Sequence, residues 1–231
     1  MTDAHPPKPN FALAVGIIGH RPNRLPQGAE AWLNAQIASI LTAIREAGLT
    51  ASRRHAGYFS TESPQFGVVS ALAEGSDRIG ARLGLELDFA LAAPLPFRAS
   101  DYENDFGTEE SKREFHLLLS QAGAVLEFAG DRQEEAKAYE RAGIAVLDAS
   151  DLLIAVWDGE PSAGRGGTTE LIYEAARRGM EEISFAVVAA TVSTIAVFLP
   201  LAFLSDKTGL LFREFGITVA TAVAISGFVA L

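Results

Sequence analysis

Four short stretches carry residue types suited to holding a phosphate-bearing molecule, and each follows an apolar run directly. The first, Gly16-Ile17-Ile18-Gly19-His20-Arg21-Pro22, joins a glycine-bearing turn to a guanidinium, whose planar fork suits oxyanions. The second, Ala73-Glu74-Gly75-Ser76-Asp77-Arg78, offers Ser76 or Asp77 as a cap for the helix that follows. The third is Trp157-Asp158-Gly159. The fourth, Gly164-Arg165-Gly166-Gly167-Thr168-Thr169-Glu170, is a glycine-rich loop opening a helix, which aims free N–H groups and the positive helix end at an anion. One such loop is a weak signal. Two of them, with arginines at strand ends, point to a shared anion site.

Each of these residues also has a purely structural reading. His20 either meets a phosphate or makes a local hydrogen bond beside its turn. Asp77 sits at an expected helix start, where an acid complements the dipole whether or not a ligand is present, and Glu170 occupies the same kind of position. Asp158 is either functional or the end of a strand on which Trp157 packs. Tyr102 and Asp105, in the DYENDF stretch, either line a pocket or cap the next helix. The four histidines, at positions 5, 20, 55 and 116, are scattered, so no metal site is expected, and with no cysteine there is no thiolate ligand or nucleophile.

The elements that must position these groups alternate. Apolar runs at Leu13–Ile18, Gly67–Leu72, Phe89–Leu95, Ala124–Phe128 and Leu152–Trp157 predict strands. Helical patterns lie at Ala29–Ala47, Asp77–Leu85, Glu109–Gln121, Gln133–Ala142 and Thr168–Arg178. This spacing predicts an α/β fold, a parallel sheet flanked by helices on both faces, with ligands bound beyond the carboxyl ends of the strands.

Charge and hydropathy divide the chain of 231 residues in two. Net charge is −10. Four acids (Glu181, Glu182, Asp206, Glu214) and two bases (Lys207, Arg213) lie beyond residue 180, leaving −8 before it. Such a surface repels nucleic acid, which is not an expected partner. The polar, Pro-rich residues 1–11 read as a disordered N-terminus with no secretory signal, which places the α/β part in the cytoplasm. Uncharged runs then occupy Ile183–Leu204 and Phe215–Leu231. The first spans 22 residues, and crossing a hydrocarbon core takes about 20 apolar residues in a helix. A two-helix transmembrane hairpin is the expectation, with the lipid bilayer as partner.

The ordered set VGIIGHRP, LAEGSDRIGA, LPFRASDYENDF, AYERAG, LIAVWDG and GRGGTTELIYEAARRG resembles the SLOG superfamily over residues 12–179. These are Rossmann-like domains related to the LOG nucleotide phosphoribohydrolases and to the DNA-processing protein DprA. The resemblance implies a nucleotide-type small molecule as ligand, often in a sensing role, with no further cofactor. It implies ligand contacts from Gly19, His20, Arg21, Gly75, Asp77 and Asp158, and a phosphate loop of Gly166, Gly167 and Thr168. In the hydrolase branch the loop reads PGGxGTxxE and its glutamate, here Glu170, takes part in cleaving the N-glycosidic bond. The loop here, AGRGGTTE, lacks the leading Pro-Gly-Gly, which counts against catalysis and leaves binding intact. Relatives also continue into one more apolar strand, for which this chain substitutes MEEISFAVV.

Residues 179–231 resemble the fifth and the start of the sixth transmembrane helices of RND-type efflux permeases, including the FLPLAFL and TGLLFREF stretches. That resemblance implies an inner-membrane location with the N-terminal domain in the cytoplasm, Arg177 and Arg178 obeying the positive-inside tendency. Proton-relay aspartates of the permease family lie on a preceding helix with no counterpart here, so no transport is expected. The two resemblances meet near Arg178–Met180, as in a chimeric product. Self-association is compatible with all of this.

Overall fold

The computed structural model describes residues 7–161, 167–203 and 207–230. They form two compact units, one ending at Ile172 and the other beginning at Tyr173.

In the first unit, strands β1 (Ala12–Gly19), β2 (Gln65–Ser70), β3 (Ala90–Leu95), β4 (Ala124–Glu127) and β5 (Leu152–Val156) form one sheet of order β4-β3-β2-β1-β5, every pair parallel. Helices α1 (Ala29–Arg54), α2 (Ser76–Glu86), the short α3 (Ala99–Tyr102), α4 (Glu109–Gln121) and α5 (Glu135–Asp148) connect them. Side chains alternate across each strand, so Val15, Ile17, Val68 and Leu91 face one way and pack with Ile37 and Leu41 of α1, Ile79 of α2 and Phe115 of α4. Ile18, Val69 and Ala92 face the other way, toward Val146 and Leu147 of α5 and Leu171 of α6 (Thr168–Phe198). Both faces are therefore covered, as a parallel sheet requires.

The register brings Val15 opposite both Val68 and Leu152, which makes β1 the central strand of this half of the sheet. From β1 the chain steps outward through β2, β3 and β4, then returns by α5 to place β5 on the far side of β1. Strand order thus reverses between β1 and β5, and a crevice opens at their carboxyl ends. The outer strands are lightly covered: Leu126 of β4 is 53% exposed and Leu152 of β5 is 44% exposed.

Three helices run well past their expected ends, α5 continuing from Ala142 to Asp148. α1 continues from Ala47 to Arg54 because Gly48 accommodates the Phe66 ring rather than stopping the helix; a Cβ at position 48 would fall 2.5 Å from that ring. Arg53 and Arg54 then meet the negative helix end. α6 does not stop at Arg178. Arg177 pairs with Glu174 at 2.7 Å and Glu181 at 2.5 Å, i,i+3 and i,i+4 contacts that favour continued helix. Residues 9–11 lead into β1 through a bond from Ser60 N–H to the Pro9 carbonyl, with Phe11 edge-on to Phe59 at 5.2 Å.

In the second unit, α6 turns through a 3-10 segment, Leu199–Phe203, and α7 (Lys207–Ala230) packs against it. Contact is close where side chains are small: a Cβ at Gly216 would fall 2.9 Å from the Phe198 carbonyl and one at Gly227 2.6 Å from Thr191 Oγ1. Ala220, between these two glycines in sequence, is buried, while Phe185, Val197, Phe228 and Val229 are exposed. The runs Thr168–Leu201 and Phe212–Val229 are long and apolar enough, by length and composition, to cross a bilayer. Leu204 and Leu231, the outer limits of the expected spans, lie outside the described residues.

Candidate functional site

At the crevice beyond β1 lies a cavity of about 400 Å³. The loop after β1 lines it with Gly19, His20, Arg21 and Arg24, the loop after β2 with Ala71 and Ala73, and α2 with Asp77. Tyr102, then Tyr139, Ala142 and Gly143 of α5, and Gly167 and Thr168 at the start of α6 complete the wall. Pockets of this size and place hold small ligands.

The loops are held by backbone approach. A Cβ at Gly19 would meet Ser76 Cβ at 2.6 Å and Val156 Cβ at 2.8 Å, so the end of β1 touches both α2 and β5. Gly75, at φ +92, is the N-cap of α2 and makes no side-chain cap. The expected capping by Ser76 or Asp77 is absent: the Ser76 hydroxyl instead donates to the His20 carbonyl at 3.1 Å, which ties the two loops together. Leu72, fully buried, adopts φ +58, a strained conformation for a branched side chain. Its carbonyl accepts from Arg78 Nε at 3.0 Å and its side chain fills the core, which together fix the strand end at this strained angle.

Asp77 is 6% exposed. Burial pushes its carboxyl up to about 7, although backbone hydrogen bonds from Ala73 and Gly19 and the charges of Arg21 and Arg78 pull the other way. The guanidinium of Arg21 lies 5.8 Å from the Tyr139 ring centroid. The Tyr139 hydroxyl donates to Asp105, and burial together with that bond pushes it up to about 12. Asp105 in turn accepts from Arg132 Nη1 at 2.6 Å. Behind Arg21 sits Tyr102, fully buried, its hydroxyl without a hydrogen-bond partner and pushed well up by burial and by Asp77.

Asp158 bridges across the crevice, with Oδ1 2.9 Å from His20 Nε2 and Oδ2 2.7 Å from Arg24 Nη2. Desolvation raises its carboxyl, but the Glu160 N–H, His20 and Arg24 outweigh that and hold it at about 2. With Arg24 engaged in this way, Arg21 and the N-terminus of α6 are the groups that can meet an anion in the cavity.

Of the residues expected from the sequence, Gly19, His20, Arg21, Asp77, Gly167 and Thr168 line this one cavity. Gly75 lines a neighbouring one, Asp158 acts through His20 and Arg24, and Glu170 is exposed and contributes nothing to the lining. Gly166 lies outside the described residues. Sequence reading missed Tyr139, Arg24 and Gly143 and left Tyr102 undecided. The signal for Tyr139 and Gly143 was the AYERAG stretch, from which Tyr139, Ala142, Gly143 and the following Val146 fall at helical spacing on one face of α5. Among the described residues no group of His, Asp or Glu could hold a metal ion.

The family model of the AcrB/AcrD/AcrF family, RND permeases, matches residues 158–231. The match covers α6 and α7 and agrees with the permease resemblance of the tail; with two membrane-length helices it supports membrane association of this segment. It also begins upstream of residue 179. Asp158, Gly167, Thr168 and Leu171 thus belong both to the matched segment and to the candidate site.

Proposed function

We propose that the first unit is a SLOG-like nucleotide-binding or nucleotide-sensing domain, tethered to the membrane by the permease-like hairpin. The observation that carries this reading is the convergence of Arg21, Gly19 and the α6 start at Gly167 and Thr168 on one cavity at the strand-order reversal. Isothermal titration of the full chain in detergent micelles with a panel of nucleotides tests it. Heat of binding that vanishes in Gly167→Trp, with circular dichroism unchanged, is expected. An absence of heat across the panel, or equal binding by the variant, removes the reading.

A second reading, hydrolysis of a nucleotide N-glycosidic bond, is favoured by Asp77. It is the one carboxyl among the described lining residues, and its pKa near 7 suits a general acid or base. Release of free base from nucleoside monophosphates, lost in Asp77→Asn, distinguishes it from binding alone.

In this reading the first unit lies in the cytoplasm and the segment between α6 and α7 on the opposite side of the inner membrane. Because the chain has no cysteine, single cysteines introduced at exposed Ser100 and at Lys207, ahead of the second apolar run, report sidedness without background. A membrane-impermeant maleimide applied to whole cells should label Lys207→Cys and spare Ser100→Cys. A chimeric origin, with its join near Arg178–Met180, accounts for two resemblances in one chain. Sequencing the genomic locus through the codons for residues 170–190 tests whether the join exists in the genome, and an uninterrupted permease gene there would show that it does not.

A further inference from the structure

The Tyr102 hydroxyl is buried without a hydrogen-bond partner, an arrangement that proteins avoid because desolvating a polar group without compensation is costly. Its surroundings make the omission specific. The neighbouring Tyr139 hydroxyl donates to Asp105, and Asp105 is also occupied by Arg132, so the polar groups of that cluster have found partners and Tyr102 has not. Rings pack Tyr102 on several sides: Phe106 at 5.0 Å, Phe115 at 5.6 Å and Phe97 at 6.4 Å. These contacts secure the ring by its apolar body and leave the hydroxyl as the one part that packing does not need. Tyr102 lines the same cavity as Arg21 and Asp77.

Resting on the nucleotide reading above, we infer that Tyr102 is a specificity residue, whose hydroxyl donates a hydrogen bond to an acceptor on the sugar or base of a bound mononucleotide. The phosphate of that ligand takes Arg21 and the N-terminus of α6, the cationic part of the wall. Asp77 and Tyr102 offer a phosphate no cationic group, so the uncharged part of the ligand takes that part of the wall. A cavity of about 400 Å³ suits one nucleotide unit, and one arginine outside the Asp158 pairing suits a single phosphate.

Tyr102→Phe in the full chain separates this role from a structural one. Removing an unpartnered hydroxyl leaves the apo melting temperature unchanged or raises it, whereas removing one that supports the fold lowers it. Titrations with adenosine, guanosine, cytidine and uridine 5′-monophosphates and with inorganic phosphate complete the test. The nucleotide that wild type binds best should lose roughly tenfold in affinity in Tyr102→Phe, the worth of one good hydrogen bond, while inorganic phosphate is unaffected. A lowered apo melting temperature, or nucleotide affinity equal to wild type, overturns the inference while leaving the phosphate site standing. Wild type that binds none of the probes overturns the nucleotide reading and this inference with it.

Discussion

His20 Nε2 and Asp158 Oδ1 lie 2.9 Å apart, joining the loop after β1 to the loop after β5 across the point where strand order reverses. Because the Asp158 carboxyl is held at about 2, below its ordinary 3.8, its contribution to stability is fully present above pH 3.8 and is lost as pH falls toward 2. Asp158→Asn should therefore melt below wild type at pH 7 and converge on it near pH 2. Parallel melting curves at all pH values would show that the pair contributes nothing.

Asp77 titrates in the opposite sense. With its carboxyl pushed up from 3.8 to about 7, the folded state keeps a proton that the unfolded chain releases, so this group costs stability progressively from pH 4 to 7 and levels off above. Asp77→Asn should gain on wild type across that window, by a few kcal/mol at most, since each tenfold change in proton affinity is worth about 1.4 kcal/mol. Urea denaturation at pH 4.5 and 7.5 reads the difference, and a gain independent of pH would contradict the assignment.

Gly19→Ala tests the close approach beneath the cavity. Its new methyl must displace Ser76 and Val156, an overpacking that costs about 1–3 kcal/mol, visible as a lower urea midpoint at unchanged slope. A midpoint equal to wild type would mean that the strand end yields freely.

Within the hairpin, Gly227→Val drives a side chain into Thr191, 2.6 Å from where a Cβ would stand. Weakened packing of α6 on α7 should appear as faster proteolysis in detergent micelles, with Ser226→Val, at an exposed position, as the silent control.

Expression of the chain in a pump-deficient host should leave dye accumulation unchanged. Proton-coupled export needs carboxylates deep within the membrane, and the uncharged centres of the two runs, Ile183–Leu201 and Phe215–Val229, carry none, Glu182 and Glu214 each lying at the edge. Proton-gradient-dependent loss of dye would refute this.

The alternation of strands and helices was legible because both faces of β1 and β2 are covered, which writes unbroken apolar runs such as AVGII and FGVV into the sequence. Helix ends were less so: Gly48 carries the same letter whether it stops a helix or receives Phe66. Within the site, glycine loops and Arg21 announced themselves through spacing. Asp77 read equally as a helix cap or a ligand contact and is a buried acid, since its burial depends on Gly19 and Tyr102 arriving from elsewhere in the chain, which no local pattern records. α3 and Tyr102 were hidden for the same reason, being set by aromatic packing among Phe97, Phe106 and Phe115.

Leu72 sets a limit on how this protein can drift. Its φ of +58 asks for glycine, which would relieve a strain of about 1–2 kcal/mol, while the core asks for leucine, whose loss costs about 2–5 kcal/mol. Valine or isoleucine would fill part of the volume and worsen the backbone; asparagine would ease the backbone and bury an amide. No single exchange satisfies both demands. Position 72 is a mutational dead end, and the loop it anchors, with Ala71 and Ala73 against the cavity, is among the parts of this protein least free to be reshaped by gradual substitution.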